Sequence, residues 1–427
     1  MNLQNEINTD EIKKDKDRAV LIGLDLGDSD EENSIEELER LADTAGIETV
    51  FKSIQKREIP DTATFIGAGK AKEIAEICKN NDINLAIVDE ELKGSQIREL
   101  EEILDIRVID RTTLILDIFA QRANSMEGRL QVELAQYKYR LPRLTGMGKA
   151  LSRLGGGIGT RGPGETQLET DRRHIKRRIS HIEDELRDVE KRRNLSRQSR
   201  KKKNIPIVAL VGYTNAGKSS LMNKLCENAE VYVKDQLFAT LDPTIRRLQN
   251  NNNTEILLVD TVGFIRKLPH DLIDAFKSTL EESLNADLLL HVVDYHDEDA
   301  EKQIETVNQI LGNLQKKGEN KPVFLVFNKC DLMNENTNEA VPKATNVPVF
   351  IVSAETSYGL EELKKAIIDE VTDTKEHLLI IPYSDGQIVN LIHNTCKIIS
   401  ETHEEDGTHL RVILRKEDTD KYKKYIS

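Results

Sequence analysis

Short apolar runs alternate with stretches of helical periodicity between residues 18 and 125. The apolar runs have the length of buried strands, and the segments between them repeat apolar residues at the spacing of one helix face. This alternation predicts a small α/β domain with a parallel sheet. The predicted strands are 19–26, 49–54, 84–88 and 107–109, and the predicted helices are 34–45, 71–81, 96–104 and 112–123. A glycine-lysine turn at 67–70 is interpreted as a helix entry, with an ATP site as the weaker alternative.

After residue 125 the apolar residues form two single stripes on otherwise charged helices. The stripes consist of Leu130, Leu134, Tyr137 and Leu141, and of Leu168, Ile175, Ile179, Ile182, Leu186 and Val189. Stripes of this kind predict a helical hairpin, and an external helix partner is the alternative. Six glycines and a proline between 155 and 164 predict an irregular loop at its tip, with a flexible linker as the alternative. Residues 196–203 are predicted to be a hinge.

Alternation of strands and helices resumes at residue 204 and predicts a second α/β domain with a doubly wound sheet. Its last helix is predicted at 359–371, and a strand, a helix and two strands after it predict a small α+β domain. The predicted division of the chain is a disordered N-terminus at 1–17, an N-terminal α/β domain at 18–125, a basic helical arm at 126–203, a central domain at 204–374 and a C-terminal domain at 375–427.

Charge is distributed unevenly along the 427 residues, whose net charge is −14. Between 137 and 203 there are 20 Lys and Arg against 8 Asp and Glu, a local excess of +12 that leaves −26 for the rest. Such asymmetry favours a localised anionic partner, with RNA preferred over a merely solvated helix face. The predicted RNA contacts are Arg143, Lys149, Arg153 and Arg161.

The composition otherwise fits a cytoplasmic protein. No apolar run approaches the roughly 18 residues of a membrane span. The polar start lacks the apolar core of a signal peptide, and the four cysteines show no metal or redox spacing.

An eight-residue glycine-rich segment follows the apolar run 207–211 and precedes a helix-forming run. Its backbone N–H groups can surround phosphate oxygens, Lys218 can reach the β- and γ-phosphates, and the Ser219 hydroxyl can bind Mg²⁺. The alternative is an ordinary strand-helix turn. The segment consists of Gly212, Tyr213, Thr214, Asn215, Ala216, Gly217, Lys218 and Ser219.

Three later segments predict that the bound nucleotide is GTP. A buried strand ends in Asp260, which suits an outer Mg²⁺ ligand, and Gly263 follows it at a position that can contact the γ-phosphate. The carboxylate of Asp331 can accept hydrogen bonds from N1 and N2 of guanine, which adenine cannot donate. The predicted nucleotide-binding residues in these segments are Asp260, Thr261, Val262 and Gly263, then Asn328, Lys329, Cys330 and Asp331, then Ser353, Ala354 and Glu355.

Hydrolysis needs Mg²⁺ and an oriented water. Thr240 and Thr244 are both candidate Mg²⁺ ligands, in a segment where Phe238, Ala239, Thr240, Leu241 and Asp242 are predicted to contact GTP. Phe264 stands where many GTPases have a water-orienting glutamine, so slow hydrolysis is expected without a partner. Asn215 can hold K⁺, with a simple loop hydrogen bond as the alternative. The predicted catalytic residues are Asn215, Lys218, Thr240 and Gly263.

The glycine-rich segment 153–173, the loop 212–219 and the segments 238–243 and 260–264 together resemble the HflX-type GTPases. The resemblance implies a GTPase that binds the 50S ribosomal subunit and splits ribosomes. It also implies Thr240 as the Mg²⁺ ligand and Arg153 and Arg161 facing rRNA. As a separate expectation, the protein is a monomer when free. The alternatives are a GTP-gated RNA-binding factor in ribosome assembly and a GTPase partner of a tRNA-modifying enzyme.

Overall fold

The computed structural model describes residues 16–27, 30–144, 163–202, 205–226, 238, 244–248, 255–267, 286–297, 299–314, 321–332, 347–372 and 374–427. Strands among these residues form sheets of four, six and three strands. The chain divides into two compact units, one containing 1–118 with 143–154 and the other 119–142 with 155–427.

The first unit contains a wholly parallel sheet of order β2-β1-β3-β4. The predicted order of elements is confirmed, with boundaries that differ by at most three residues. Helix α2 begins immediately after Gly67, whose φ of 86° needs glycine, so the 67–70 turn is a helix entry. The elements are β1 (Arg18–Asp25), α1 (Glu31–Thr44), β2 (Glu48–Lys56), α2 (Ala68–Asn80), β3 (Leu85–Val88), α3 (Gly94–Leu104), β4 (Arg107–Asp110) and α4 (Arg111–Arg122).

A buried ion-pair cluster lies where two strands of this sheet end. Arg111 is 2% exposed, and its guanidinium lies 2.6 Å from Asp89 and 2.5 Å from Glu37. Because a buried charge is tolerated only with a close partner, these contacts hold the start of α4 on the first unit.

The arm is an antiparallel pair of helices, α5 (Met126–Arg143) and α6 (Pro163–Lys202). The two predicted stripes meet in one apolar cluster, with Leu130, Leu134 and Ile182 buried at its centre. Ion pairs join Glu127 to Arg193 and Glu133 to Arg178. The earlier residue of α5 pairs with the later residue of α6, so the two helices run in opposite directions. The hairpin is therefore confirmed over an external helix partner.

The hinge predicted at 196–203 is wrong over 196–202, and the irregular loop is wrong at residues 163 and 164, while 155–162 lie outside the described ranges. Helix α6 begins at Pro163, inside the segment predicted to be irregular, because proline is well suited to a first helical turn. The same helix continues to Lys202 through the predicted hinge. The hinge segment contains Arg, Lys and Gln, which have high intrinsic helix propensities.

The second unit contains a six-stranded sheet of order β10-β9-β8-β5-β7-β6, in which only β6 is antiparallel to its neighbour. Val208 and Leu210 face one apolar cluster, and Ala209 and Val211 face another. Both faces are therefore covered, as in other parallel sheets. The elements are β5 (Ile207–Gly212), α7 (Lys218–Leu225), β6 (Thr244–Arg247), β7 (Leu257–Asp260), β8 (Leu288–Asp294), α8 (Ala300–Leu314), β9 (Val323–Asn328), β10 (Val349–Ile351) and α9 (Leu360–Thr372).

A three-stranded antiparallel sheet of order β11-β13-β12 follows. Its elements are β11 (Thr374–Ile381), α10 (Gly386–Thr395), β12 (Lys397–Glu404), β13 (Gly407–Arg415) and α11 (Lys416–Tyr422). The predicted order is confirmed, but α11 was not predicted. Among the described side chains of this charged segment, Tyr422 alone joins the core, so the segment carries no apolar stripe. Across the described ranges, no helix combines the length and apolar character needed to cross a bilayer.

Candidate nucleotide site

The glycine-rich loop connects β5 to α7 at the carboxyl end of the six-stranded sheet, where open α/β sheets bind ligands. Gly212 has a φ of 149°, and a Cβ on it would lie 2.1 Å from the carbonyl oxygen of Val292. Asn215 has a φ of 62° and Gly217 one of 85°. This left-handed backbone turns successive N–H groups toward one side, which is the arrangement that surrounds phosphate.

Lys218 lies beneath this loop and is 7% exposed. Its Nζ donates to the carbonyl oxygens of Gly212 at 3.0 Å and Tyr213 at 2.6 Å. Burial lowers the pKa of Lys218 to about 8, and the nearby Asp260 opposes that shift. A phosphate would replace these neutral acceptors with a full negative charge.

The residues predicted to hold Mg²⁺ supply suitable oxygen atoms. Ser219 Oγ donates to Asp260 Oδ2 at 2.6 Å, so a hydroxyl and a carboxylate meet at the start of α7. Asp260 is 1% exposed, and the neighbouring Thr261 hydroxyl donates to the carbonyl of Leu210 at 2.7 Å. Mg²⁺ prefers oxygen ligands, so this pair fits the ion.

The segment after β7 lies against the phosphate loop. A Cβ on Gly263 would come within 2.8 Å of Thr214 Cα and 3.0 Å of Lys218 Nζ. Phe264 N donates to the carbonyl of Gly212 at 3.1 Å, and the Phe264 carbonyl accepts from Thr214 N at 2.8 Å. The Phe264 ring is 2% exposed and packs in the apolar core, so its backbone lies at the phosphate loop and its side chain does not.

Asn328 joins the phosphate loop to the segments predicted to bind guanine. Its Nδ2 donates to the carbonyl of Ala216 at 3.1 Å, and its Oδ1 accepts from Ala354 N at 3.0 Å. Asp331 is exposed beyond it, and the hydroxyl of the buried Ser353 donates to its Oδ1 at 2.5 Å. The Asp331 carboxylate is therefore oriented before any base is bound.

Other predicted residues of these segments lie nearby. Lys329 has a φ of 67° and pairs through Nζ with Asp294 at 2.8 Å. Cys330 N donates to the carbonyl of Val352 at 3.3 Å, and the Glu355 carbonyl accepts from Lys224 Nζ at 3.5 Å. Val262 is 7% exposed. The described residues of the four predicted segments thus meet at one edge of the sheet.

Several predicted residues lie outside the described ranges: Lys149, Arg153 and Arg161 of the arm, and Ala239, Thr240, Leu241 and Asp242. Thr244, the other candidate Mg²⁺ ligand, is the first residue of β6. The ring of Phe238 is 2% exposed and packs on Phe119, so the side chain is used for packing.

Arg143 is placed differently from the prediction. Its Nη2 lies 2.8 Å from Glu91, 2.9 Å from the carbonyl of Leu92 and 3.7 Å from Asp110, and its side chain is 17% exposed. Arg143 and these partners all belong to the first unit, so the side chain is used within that unit and a role for Arg143 as an RNA contact is not favoured.

Sequence reasoning missed Asp294, His291 and Phe119. Asp294 is the last residue of an apolar strand, as Asp260 is. This shared sequence pattern could have identified Asp294 as a candidate site residue. His291 is 2% exposed beside the phosphate loop, and burial, followed by the charge of Lys218, lowers its pKa to about 4. Only the three-dimensional structure shows the role of Phe119, because its partner Phe238 lies 119 residues further along.

Three family models match successive parts of the chain. Residues 32–120 match the family model described as GTP-binding GTPase N-terminal, and residues 122–200 match GTP-binding GTPase Middle Region. Residues 207–329 match the model described as 50S ribosome-binding GTPase.

Curated relatives cover almost the whole chain. A GTPase HflX of Caldanaerobacter subterraneus is 48% identical over 98% of this chain and 95% of its own length. GTPase HflX of Escherichia coli is 44% identical over 92% of each chain. A GTP-binding protein of Sulfolobus solfataricus, solved with GDP, is 26% identical over 83% of this chain and 99% of its own, at a TM-score of 0.44. That score is low, so the relatedness rests on the sequences.

The fold and the site define a P-loop GTPase, an enzyme that binds GTP and hydrolyses it to GDP and phosphate. The chain belongs to the HflX family of GTPases. The expected fold class and family are thereby confirmed, whereas the roles of individual site residues stay predictions.

The orientation of Asp331 generates a test of base recognition. Replacement Asp331→Asn should lower GTP affinity by about 10³- to 10⁴-fold, because an amide NH₂ would face the donor at guanine N2. The same variant should gain affinity for xanthosine triphosphate, whose O2 accepts that amide proton. Titration with fluorescent analogues of both nucleotides measures this change of preference from GTP to xanthosine triphosphate. Cys330→Ser is the control and should leave GTP preferred; an Asp331→Asn variant that still prefers GTP would contradict the assignment.

The pKa of Lys218 generates a test by pH. With a pKa of about 8 in the free protein, Lys218 loses its proton above that pH, whereas bound phosphate favours the protonated form. GDP affinity should therefore be constant below pH about 8 and fall as the pH rises through it. Calorimetry between pH about 7 and about 9 measures this fall.

The matched control for this pH test is Lys218→Arg, which stays charged throughout the range. Ionisation of guanine itself affects both proteins alike. If GDP affinity fell equally steeply with pH in both proteins, deprotonation of Lys218 would be excluded as the cause of the fall.

Proposed function

We propose that this GTPase binds the large ribosomal subunit and couples its GTP cycle to the splitting, rescue or recycling of ribosomes. The matched family model for residues 207–329 is described as a 50S ribosome-binding GTPase, which supports this partner. The proposal includes a cytoplasmic protein that is a monomer when free of the ribosome.

One observation on the arm carries the choice of RNA as the contacted surface. Arg172, Arg173, Lys176 and Arg177 are all exposed near the start of α6. Their spacing places them on one side of the helix, with like charges four positions apart, an arrangement that destabilises a helix by itself. Within the described part of the chain none of the four has an ion-pair partner. A row of phosphates would neutralise them, as in other nucleic-acid-binding surfaces.

The proposed metal site consists of Ser219 and Thr240 as direct Mg²⁺ ligands, with Asp260 holding a bound water. Mg²⁺ would neutralise charge that develops on the phosphates. Lys218 would bind the β- and γ-phosphates, and the N–H of Gly263 would contact the γ-phosphate.

The position of Phe264 supports slow hydrolysis by the isolated protein. A buried phenyl ring can neither donate a hydrogen bond to the attacking water nor accept one, so the side chain at this position cannot orient it. A ribosomal surface that orders this region would supply the missing orientation. GTP turnover would then be tied to binding of the correct partner.

The arm and the incomplete site together generate a test. Purified 50S subunits should raise the rate of GTP hydrolysis at least about tenfold. Arg153→Ala together with Arg161→Ala should reduce that stimulation by about 3- to 30-fold, because two phosphate contacts are lost. Phosphate release with and without subunits measures both effects.

The matched control for the arm is Arg187→Ala, which removes an exposed α6 cation already paired with Asp184. It should leave stimulation unchanged, and GDP affinity should be equal in all the variants. A turnover that ribosomes do not change would contradict the proposal. When cell extracts are fractionated by sedimentation, a protein found with immature subunits and not with mature ribosomes would favour the assembly-factor alternative.

Asn215 generates a separate test of the proposed K⁺ site. Its side chain is exposed from the left-handed turn of the phosphate loop. If its oxygen holds K⁺ against the phosphates, turnover should fall several-fold when Na⁺ replaces K⁺ at constant ionic strength. Asn215→Ala should abolish the difference between the two salts. Equal rates in K⁺ and Na⁺ for the unaltered protein would reduce Asn215 to a loop hydrogen bond.

A further inference from the structure

The hydroxyl of Thr214, in the phosphate loop, is buried and has no hydrogen-bond partner among the described residues. The residue as a whole is 7% exposed. Buried hydroxyls are normally bonded, as in Thr261, whose hydroxyl donates to the carbonyl of Leu210 at 2.7 Å. A buried hydroxyl without a partner destabilises the free protein. Thr214 therefore presents a donor that a bound ligand could use.

The backbone around Thr214 is already engaged within the protein. The carbonyls of Gly212 and Tyr213 accept from Lys218 Nζ at 3.0 and 2.6 Å. The N–H of Thr214 itself donates to the carbonyl of Phe264 at 2.8 Å. Phosphate loops usually contact phosphate through backbone N–H groups, but this N–H is directed at another segment of the chain. The side chain of Thr214 is thus the donor that remains for a phosphate.

The position of this side chain indicates which phosphate it would meet. A Cβ on Gly263 would lie 2.8 Å from Thr214 Cγ2 and 3.0 Å from Lys218 Nζ. Since Oγ1 and Cγ2 are bonded to the same Cβ, the Thr214 hydroxyl lies beside the same point. Lys218 and Gly263 are the residues proposed above to contact the γ-phosphate. The three groups therefore converge on one side of the phosphate loop.

We propose that the Thr214 hydroxyl donates a hydrogen bond to a γ-phosphate oxygen of GTP and so helps the site to distinguish GTP from GDP. The inference rests on the proposed γ-phosphate contacts of Lys218 and Gly263. GDP ends at the β-phosphate and would leave the hydroxyl as it is in the free protein. GTP would supply a charged acceptor, and hydrogen bonds to charged groups are the stronger ones.

The test compares GDP with the β,γ-imido analogue of GTP, using the full chain without ribosomes. Thr214→Val keeps the branched shape of the side chain and removes the donor. It should weaken analogue binding by about 10- to 100-fold, the range for a hydrogen bond to a charged group, and leave GDP affinity unchanged. Thr214→Ser keeps a hydroxyl and should retain most of the preference for the analogue. Fluorescence titration measures all four affinities.

Thermal unfolding of the nucleotide-free protein separates a ligand contact from a structural one. Because the hydroxyl has no partner among the described residues, Thr214→Val should not lower the melting temperature. The matched control is Thr306→Val on α8, which removes a hydroxyl that donates to the carbonyl of Lys302 at 2.8 Å. This control should leave both nucleotide affinities unaltered.

Two results would overturn the inference. A lower melting temperature of Thr214→Val with equal losses of GDP and analogue affinity would show that the hydroxyl serves the fold. An unaltered analogue affinity, with or without a fall in kcat, would show that the hydroxyl does not bind the γ-phosphate.

Failure of the proposed function would appear in other measurements. Lys218→Ala would then weaken GDP and analogue binding equally, or 50S subunits would leave turnover by the unaltered protein unchanged. Neither result depends on the Thr214 hydroxyl, so the two proposals are tested separately.

Discussion

The nucleotide site depends on one buried side chain, the carboxamide of Asn328, which joins loops far apart in the sequence. It donates to Ala216 in the phosphate loop and accepts from Ala354 beyond β10. Asn328 is 1% exposed, and removing it would leave two backbone groups unpaired at about 1–3 kcal/mol each. A contact within the protein therefore links the phosphate loop to the segment after β10 that is predicted to bind guanine.

The same close packing explains where side chains are excluded. A Cβ on Gly217 would lie 2.2 Å from Asn328 Nδ2, and one on Gly212 would meet the carbonyl of Val292. Gly263 is similarly close to Lys218. These contacts hold the phosphate-binding backbone rigidly, yet the next residue, Phe264, points into the core. The described residues thus supply a phosphate-binding backbone, whereas the Phe264 side chain offers no group that could orient a water.

Sequence predicted the elements that carry a strong period or motif, because local chemistry determines them. The loop at 212–219, the alternation of strands and helices in both α/β domains and the apolar stripes of the arm are examples. Prediction from the sequence failed where tertiary contacts determine the role of a residue. Arg143 looks like any other arm cation until Glu91 and Asp110 surround it. Phe119 looks like an ordinary core residue, since nothing local indicates the distant ring it contacts.

Charges on helix α6 differ in whether they are paired. Lys191 pairs with Asp188 and Arg193 with Glu127, both further from the glycine-rich segment. Nearer that segment, Arg172 and its neighbours have no such partner within the described ranges. Exposed cations of like sign four positions apart on a helix repel one another weakly. Binding to phosphates would offset this repulsion at one end of the helix, while the other end is held by apolar contacts and ion pairs within the protein.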